Sequence, residues 1–595
     1  MNSDPTFYSG KIKGLSWFLL FVLVGSLLGI TVIISLSWFY SYEEILYWYQ
    51  EKTYDFLRLK EESEAGFTHS RYKLSRVTGI FLWFVCILVF SLLFKYRKIV
   101  KTGLISVSKE ICLLISTSSG VLLSIPKKEK WALVLLWSMI IGFQIRNYLH
   151  FPFFGDDLAS YVYFARNGPL ITAIFYPIPN NHIFYNLLSS LTAAFTDDPL
   201  LSTRLISFIS FHLLMLVLFL YLYRTFTNKW IAYLAVAICG FFFASSIYSV
   251  MGRGYMLFSL MTLLAGISLL QYVETRRLVM LFVIITSSVL GAYTVPTFLI
   301  PFLGLMMSLL VFSFLYQDKK LLQAGILCGV LVGIGVLLLY LPTFLFSGAD
   351  AILSNKYVSA DSRQNFYTYA YPIAVAEVLS LTAGTNTKGW LVFMILGVLS
   401  IPLLRRNENK ARNWLILSLC IFAAIFLYTL VSRSFMPLRV LTYASFFVYV
   451  SYAIVIAYWI ERIKPGRRLY PVAVILIPIV GWWQYQHTVY LSYLFPEKIH
   501  NITRNFVDRI IYDGKTAYIS TELKYFHWYY IYRNEIAEHS IALKTNPLEA
   551  DLIFLTSEAE QLNNEGYALI KTVKGIEYSP DYYIYERNPA GKVKP

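Results

Sequence analysis

Apolar stretches long enough to cross a membrane recur along most of this chain. We predict about 13 transmembrane helices, because about 20 apolar residues cross roughly 30 Å of hydrocarbon and lipid offers no water to an open strand. The predicted fold class is therefore an all-α polytopic membrane protein. The predicted spans are residues 14–40, 77–94, 131–149, 201–223, 230–250, 255–273, 278–292, 295–316, 321–346, 389–404, 413–432, 437–460 and 470–490.

The positions of basic residues set the direction of the predicted spans. Lys11 and Lys13 precede the first span, and basic clusters such as those at 95–101 and 405–412 occupy alternate turns. Because basic residues hold short loops on the cytoplasmic side, we expect the N-terminus inside and the C-terminus outside. The formal net charge of +16 is explained by these loops, so no nucleic-acid partner is indicated.

Composition excludes further classes. With 57% hydrophobic and 14% charged residues, the chain does not have the composition of an ordinary soluble protein. Its five cysteines lie in or beside apolar segments, which argues against a disulfide framework and against a thiolate metal site. The first span is too long for a cleaved signal peptide, so we expect it to stay as an anchor.

Four stretches between the spans are not expected to cross. Residues 41–76 are predicted to form an external helical hairpin, and residues 347–388 a second external loop, polar and rich in tyrosine. Residues 103–125 lie between basic clusters, which predicts an interfacial or re-entrant segment. The external loop 151–195 contains two runs at helical spacing, DDLASYVYFARNG and HIFYNLLSSLTAAF, for which we predict in-plane helices because they are too short to span.

From residue 491 the composition becomes that of a soluble domain. Strand-like runs at 515–521, 550–557, 567–573 and 582–587 alternate with helix-like runs at 523–533 and 557–566. We therefore predict three parts: an N-terminal extension (1–130) with two transmembrane helices and the interfacial segment, a transmembrane core (131–490), and a small external α/β domain (491–595).

The loop 151–195 carries the main candidate chemistry. Asp156 and Asp157 are adjacent carboxylates at the predicted external membrane surface. They could bind a divalent cation, act as a general base, or cap the following helix, where a carboxylate is favoured by the helix dipole and by unpaired amides. One carboxylate is enough for a cap, and partial burial raises a carboxyl pKa towards the range of a useful base.

Arginines stand at the outer ends of other predicted spans. Arg253 lies between two glycines in the turn SVMGRGYML, and Arg433 and Arg439 flank the turn SRSFMPLR. The planar donors of a guanidinium suit a lipid phosphate. The alternative is an arginine that only extends its charge to the membrane interface.

Three further basic residues are candidates. His182 follows the sequence PIPNN and begins the second in-plane helix, so it either is a solvated terminal residue or contacts a phosphate or an acceptor. Arg166 and Arg204 are weaker candidates, since their positions are typical of helix anchors at the interface.

Three motifs, in this order and on this side of the membrane, resemble a known family. They are the acidic pair after a span (GDD), the turn PNNHIFYNLL and the later outer turn MGRGYML. Together they resemble the polyprenyl-phosphate-sugar-dependent glycosyltransferases of the GT-C fold, in the bacterial branch similar to protein mannosyltransferases and to the lipid A aminoarabinose transferase. The motifs cover about residues 131–345, and residues 1–130 are additional to the usual core.

The resemblance implies an inverting transfer of a sugar from a polyprenyl-phosphate-linked donor to a hydroxyl of a glycan, lipid or protein acceptor. Asp156, with Asp157 beside it, would take the hydroxyl proton. The side chains that would bind the substrate and its phosphate are His182, Arg253, Arg433, Arg439 and Arg166. The chain departs from the family, whose usual acidic pair is Asp-Glu and whose usual turn is Lys-Pro-Pro-Leu-like.

The sequence identifies no cofactor with certainty and leaves a divalent cation open. Asp156 and Asp157 could supply part of a Mg or Mn site, but no further ligands cluster near them in the sequence. The resemblance implies a bacterial inner membrane, with the active site and the C-terminal domain on the periplasmic side.

Two rival classes stay open. A secondary transporter places ionisable residues near mid-membrane and has repeated halves, whereas here the charges gather at span ends and we find no clear repeat. A non-catalytic flippase or scaffold of envelope glycan assembly would use the external domain and should tolerate Asp156→Asn. An enzyme should not.

Overall fold

The computed structural model describes residues 5–51, 67–150, 156–176, 181–196, 198–353, 363–384, 389–405, 409–433, 436–463, 469–484, 516–520, 544, 546–573 and 582–588. Helices make up most of these residues, and a small sheet lies near the C-terminus. The predicted helical fold class is therefore confirmed.

The helices are numbered along the described chain. The N-terminal part contains α1 (Pro5–Phe39), α2 (Tyr42–Glu51), α3 (His69–Lys95), α4 (Arg97–Ser124) and α5 (Lys127–His150). The acidic loop contains α6 (Asp156–Tyr163), a 3₁₀ turn (Ala165–Asn167), α7 (Gly168–Ile174) and α8 (Ile183–Ala193).

The remaining helices follow in two groups. The first is α9 (Pro199–Thr225), α10 (Trp230–Phe241), α11 (Phe243–Tyr248), α12 (Tyr255–Thr275), α13 (Leu278–Thr294), a 3₁₀ turn (Pro296–Phe298), α14 (Leu299–Leu315) and α15 (Lys319–Phe346). The second is α16 (Asp350–Leu353), α17 (Arg363–Asn365), a π turn (Phe366–Ala370), α18 (Tyr371–Ala383), α19 (Gly389–Arg405), α20 (Asn409–Ser432), a 3₁₀ turn (Leu438–Leu441), α21 (Tyr443–Ile460) and α22 (Leu469–Gln484).

Eight helices within the described ranges are long and apolar enough to cross a membrane, which makes this a multi-pass membrane protein. They are His69–Lys95, Lys127–Leu149, Pro199–Thr225, Tyr255–Thr275, Pro296–Leu315, Lys319–Phe346, Lys410–Ser432 and Tyr443–Ile460. Shorter apolar helices accompany them: Val24–Phe39, Ile183–Ala193, Trp230–Phe241, Leu278–Thr294, Gly389–Arg405 and Leu469–Gln484. The count of about 13 spans stays a prediction.

The predicted span 230–250 is not one helix. It breaks at Phe242, whose extended backbone (φ −79°, ψ 166°) separates α10 from α11. The hydroxyls of Ser245 and Ser246 donate to the carbonyls of Cys239 and Phe241, which the break leaves without helical partners. Because these carbonyls are satisfied, the break is tolerated inside an apolar segment, and it redirects the chain towards the turn that carries Arg253.

Three other expectations change. The second external loop, 347–388, is not only a loop, because it contains α18, which has a proline in its first turn and ends at Gly384 in the left-handed conformation. The run 156–168, predicted as one in-plane helix, is helical only in α6 and continues as the 3₁₀ turn at 165–167, and a further helix, α7, begins at Gly168. The segment 103–125 lies in the unbroken helix α4 as far as Ser124. Of the expected hairpin 41–76, the structure describes α2 and the start of α3, and residues 52–66 lie outside the described residues.

The four strands predicted near the C-terminus are confirmed. They are β1 (Ala517–Ile519), β2 (Leu552–Leu555), β3 (Tyr567–Val573) and β4 (Tyr582–Arg587), in the sheet order β1-β2-β4-β3. β1 is parallel to β2, and β4 is antiparallel to both β2 and β3. The helix expected at 557–566 is reduced to α23 (Gln561–Asn564), and the one expected at 523–533 lies outside the described residues.

The N-terminal helices pack directly against the acidic loop. Ile34 of α1 and Leu82 of α3 share a buried apolar core with Tyr163 of α6 and Ile174 of α7. Burial of such side chains is the main source of stability within a packed core. The extension is therefore part of the structure that holds the acidic loop in place.

Replacement of one aromatic side chain of this core tests how much the core stabilises the protein. Phe67 is buried and stacks on Phe346, at the end of α15, with ring centroids 5.2 Å apart. We expect Phe67→Ala to destabilise the protein by about 3 kcal/mol through the cavity it leaves. The measurement is the apparent Tm of the purified protein in detergent. The control is Phe84→Ala, on an exposed ring of α3, and equal Tm values for the two variants would contradict the contact.

Candidate active site

The two adjacent carboxylates occupy different environments at the start of α6. Asp157 is 2% exposed, and its Oδ2 accepts a hydrogen bond from the backbone N–H of Gly252 at 2.9 Å. Asp156 faces outward, with its side chain 36% exposed and its Oδ2 3.3 Å from Nη2 of Arg439. One carboxylate is therefore a buried structural partner, and the other is open to a ligand.

The turn from Met251 to Gly254 is the partner of both Asp157 and His182. Its backbone is held by Ser207, whose hydroxyl donates to the carbonyl of Met251 at 2.6 Å and lies 3.0 Å from that of Arg253. The N–H of Gly254 donates to Nδ1 of His182 at 2.9 Å. The turn thus presents two backbone donors to two side chains of the acidic loop.

Arg253 points from this turn into the acidic loop and is 2% exposed. Its Nη1 donates to the hydroxyl of Ser160 at 2.9 Å and lies 3.3 Å from the carbonyl of Asp156. Its guanidinium carbon is 5.7 Å from the ring centroid of Tyr255. A buried guanidinium needs such hydrogen bonds, because an unpaired charge away from water is costly.

His182 is 5% exposed and precedes α8. Its neighbour Asn181 donates to the carbonyls of Thr172 and Phe175, both at 2.8 Å, and accepts from Asn186 at 2.9 Å. Two asparagines therefore fix the turn that delivers the histidine. Burial, together with the nearby positive charges, lowers the pKa of His182 well below its ordinary value, so the ring is neutral at pH 7.

Burial raises the pKa of Asp157 to about 6. The charges of Arg204 and Arg253 and the N–H of Gly252 oppose this effect, and the charge of Asp156 adds to it. Asp157 is consequently a carboxyl group that changes its charge near neutral pH.

Sequence reasoning treated Arg204 as a helix anchor and missed its place beside Asp157. Arg204 is 1% exposed, and its Nη1 donates to the carbonyl of Tyr148 at 2.8 Å. The only signal in the sequence was an arginine within the second turn of an apolar helix. An arginine there is either at the interface or turned inward, and spacing alone does not separate the two.

The structure brings together five of the seven predicted site residues. Asp156, Asp157, His182, Arg253 and Arg439 come together, and we call them the charged cluster. Arg433 is exposed after α20 with a left-handed backbone (φ 54°), and Arg166 lies in the 3₁₀ turn 165–167. Neither takes part in the hydrogen bonds and ion pairs that the described residues of the charged cluster make with one another.

The charges of the cluster favour an anion over a metal ion. Arg204, whose charge acts on Asp157 from outside the cluster, adds a third guanidinium group to those of Arg253 and Arg439, against two carboxylates. Among the residues that the structure describes, no group of three or more His, Cys, Asp or Glu side chains could hold a metal ion. Within the described part of the chain the carboxylate pair is therefore an incomplete ligand set for Mg or Mn, and the positive charge of the three arginines suits a phosphate.

Comparison with known proteins adds no relative to this picture. The chain matches no protein-family model, and no curated protein is significantly similar to it. A functional proposal therefore rests on the geometry of the charged cluster and on the motifs that build it.

Because the turn lies close to His182, we predict that one added methyl group at Gly254 destabilises the protein and moves the histidine. A Cβ at Gly254 would lie 2.9 Å from Nδ1 of His182 and 2.8 Å from Cγ2 of Thr294. We expect Gly254→Ala to displace the histidine and to cost about 1–3 kcal/mol of stability. The measurements are the Tm and the reactivity of His182 towards diethyl pyrocarbonate, read by mass spectrometry.

Gly333→Ala is the matched control, since a Cβ at Gly333 in α15 meets nothing within 4 Å. This variant should keep the wild-type Tm and leave His182 protected. If Gly254→Ala behaves in the same way as the control, the close packing of the turn on His182 is wrong.

The raised pKa of Asp157 predicts how stability changes with pH. The native protein keeps this proton between about pH 4 and pH 6, where the unfolded chain has lost it, so stability falls as the pH rises through that range. The loss is roughly 3 kcal/mol by pH 7. Asp157→Asn keeps an oxygen for the N–H of Gly252 and cannot ionise, so we expect its Tm advantage over wild type to grow between pH 4.5 and 7.5. A difference in Tm between the variant and wild type that stays constant across this pH range would refute the raised pKa of Asp157.

Proposed function

We propose that this chain is an inverting glycosyltransferase that moves a sugar from a polyprenyl-phosphate-linked donor to an acceptor hydroxyl at the external membrane surface. The proposal is carried by one observation, the meeting of Asp156 with two arginines: its accessible carboxylate pairs with Arg439, and its backbone carbonyl accepts from Arg253. A base and a set of phosphate-binding donors side by side are what transfer from a sugar phosphate requires. The motif order described above supports the same reaction.

In the proposed reaction the acceptor oxygen attacks the anomeric carbon, and the bond from that carbon to the phosphate oxygen breaks. Asp156 takes the hydroxyl proton, and the electron pair leaves with the polyprenyl phosphate. Attack from the face opposite the leaving group inverts the anomeric configuration. Asp156 rather than Asp157 is the base, because Asp157 is buried and its Oδ2 is occupied by the N–H of Gly252.

The arginines have distinct parts in this reaction. Arg253 is buried and already oriented by Ser160, so it stabilises the developing phosphate charge without reorganisation. Arg439 is 47% exposed and pairs with Asp156 before a ligand arrives. A phosphate that takes Arg439 from this ion pair leaves the carboxylate of Asp156 free to contact the acceptor hydroxyl.

The proposed topology places the charged cluster outside. Thirteen crossings follow if the eight long apolar helices are joined by five of the shorter ones, with Ile183–Ala193 lying in the membrane plane. The N-terminus is then inside, and the active site and C-terminal domain lie on the external, periplasmic side of a bacterial inner membrane. A lipid-linked donor would reach the cluster from within the bilayer, because Pro199 and Tyr255 begin apolar helices beside it.

The rate of sugar transfer by the Asp156→Asn variant tests the proposed function. The assay follows radiolabelled sugar from the polyprenyl-phosphate pool of the host cell to an envelope fraction, with all variants at equal abundance in the membrane. We expect Asp156→Asn to lose about 100- to 10,000-fold in rate, because the amide cannot accept the hydroxyl proton. Asp157→Asn should lose less, since it keeps its hydrogen bond to the turn.

Asp198→Asn provides the matched control. Asp198 caps α9 by accepting from the N–H of Leu200 at 2.9 Å, and asparagine is an equally good cap. This variant should transfer sugar at the wild-type rate. An unchanged rate of transfer by Asp156→Asn would mean that the carboxylate is not the base. The transporter and scaffold alternatives would then be favoured over an enzyme.

A further inference from the structure

The long helix α1 changes its packing partner along its length. In the half nearest the acidic loop it packs closely on α3, where Oγ1 of Thr31 lies 3.3 Å from Sγ of Cys86. Towards its other end it is joined to α4, because the hydroxyl of Ser16 donates to that of Ser108 at 2.9 Å. Between these two contacts α1 separates from α3, and a groove lies between the two helices.

This groove is apolar and has a volume of about 860 Å³. Its walls include Leu20, Phe21 and Gly25 of α1, and Phe90, Phe94 and Arg97 at the junction of α3 with α4. The rings of Phe21 and Phe94 are 73% and 71% exposed, and α3 is long and apolar enough to cross a membrane. Ligand pockets are commonly apolar and roughly 300–1,000 Å³, so the groove has the lining and the size of a site for one hydrocarbon ligand.

One end of the groove is basic. Arg97 is the first residue of α4, and its guanidinium carbon lies 5.0 Å from the ring centroid of Phe94. Lys95, Lys98 and Lys101 are its neighbours in the sequence. Within the described ranges, none of these four basic side chains forms a salt bridge with a carboxylate. An arginine that closes an apolar groove where a span ends offers positive charge and paired donors to a lipid phosphate.

We infer that the groove binds one anionic phospholipid of the bilayer, with an acyl chain between α1 and α3 and the phosphate on Arg97. The groove lies at the other end of α3 from the core that holds the acidic loop, so it is separate from the charged cluster. In the proposed topology this end is cytoplasmic, where basic pockets between transmembrane helices bind anionic headgroups. The inference goes beyond the proposed function and does not depend on sugar transfer.

The lining favours a phospholipid over a second copy of the chain. Transmembrane helices dock on one another where small residues let the backbones approach closely, and Gly25 and Gly29 have the spacing of such a pair. Phe21, however, lies on the same helix face one turn before Gly25, and its exposed ring keeps another backbone away. A flexible acyl chain fits between such rings, and the charge of Arg97 selects an anionic lipid over a neutral one.

Native mass spectrometry of the purified full-length chain in detergent tests the inference. The chain is mixed with equal amounts of phosphatidylglycerol and phosphatidylcholine that carry the same acyl chains. A second mixture contains phosphatidylglycerol and undecaprenyl phosphate. Arg97→Gln removes the charge at the end of the groove, and Gly25→Leu fills the groove, since a Cβ at Gly25 meets nothing within 4 Å.

Each variant has a matched control. Arg405→Gln removes an exposed arginine at the end of α19, away from the groove. Gly29→Leu adds the same side chain one turn along α1, where a Cβ also meets nothing within 4 Å and the residue does not line the groove.

Wild type and both controls should retain one phosphatidylglycerol, with at least about a 5-fold preference over phosphatidylcholine, because each nearby basic residue favours an anionic lipid by about this factor. Arg97→Gln should bind phosphatidylglycerol about 10-fold more weakly, as expected for a lost hydrogen bond between charged groups. Gly25→Leu should retain neither lipid, because its side chain occupies the place of the acyl chain.

Other outcomes overturn the inference. Equal retention of the two phospholipids by wild type rejects an anionic site. Equal losses in Arg97→Gln and Arg405→Gln assign the preference to general surface charge, and unchanged binding by Gly25→Leu places the lipid outside the groove. Displacement of phosphatidylglycerol by undecaprenyl phosphate, or a dimer that Gly25→Leu dissociates, identifies a different occupant. Should Gly25→Leu not fold, the comparison of Arg97→Gln with Arg405→Gln decides alone.

Discussion

Two backbone amides hold the candidate site together. The N–H groups of Gly252 and Gly254 donate to Asp157 and His182, and Arg253 extends into the acidic loop from between them. Neither glycine has room for a Cβ: at Gly252 it would meet Thr203 of α9, and at Gly254 it would meet His182 and Thr294. Backbone donors cannot change rotamer or protonation state, so the two segments are locked at a fixed distance.

The cost of burying charge explains the rest of the arrangement. An arginine away from water is tolerated only when its donors are used, and Arg253 uses the hydroxyl of Ser160 and the carbonyl of Asp156. Asp157 is held by a single amide hydrogen bond and by the charge of Arg204, which leaves its pKa raised. A buried carboxyl with a raised pKa is typical of sites that are prepared for a ligand, because folding has already oriented the groups.

Sequence predicted the members of the site better than their geometry. A membrane surface collects the outer ends of all spans, so an acidic loop, a glycine-flanked arginine and Arg439 could be expected near one another. The same logic gave Arg433 equal weight, although the two arginines of one turn face different surroundings. Arg204 was only a weaker candidate, because its place on a helix face does not show that it turns inward. The break at Phe242 was not predicted, because an apolar run gives no sign of it. Helix 371–383 was hidden within a polar, tyrosine-rich segment despite its proline start.

The N-terminal extension supplies the remaining constraint on the acidic loop. α1 and α3 bury the apolar face of α6 and α7 in a core that also contains Leu345 and Phe346 of α15. Beside this core, Thr343 at the end of α15 donates to the carbonyl of Ala173 at 2.8 Å, and Ser347 donates to that of Ile174 at 2.7 Å. Apolar packing and hydrogen bonds therefore hold α6 and α7, and with them the buried carboxyl of Asp157, in position. Groups held in this way meet a ligand without reorganising, and the extension therefore contributes to the site although none of its side chains belongs to the charged cluster.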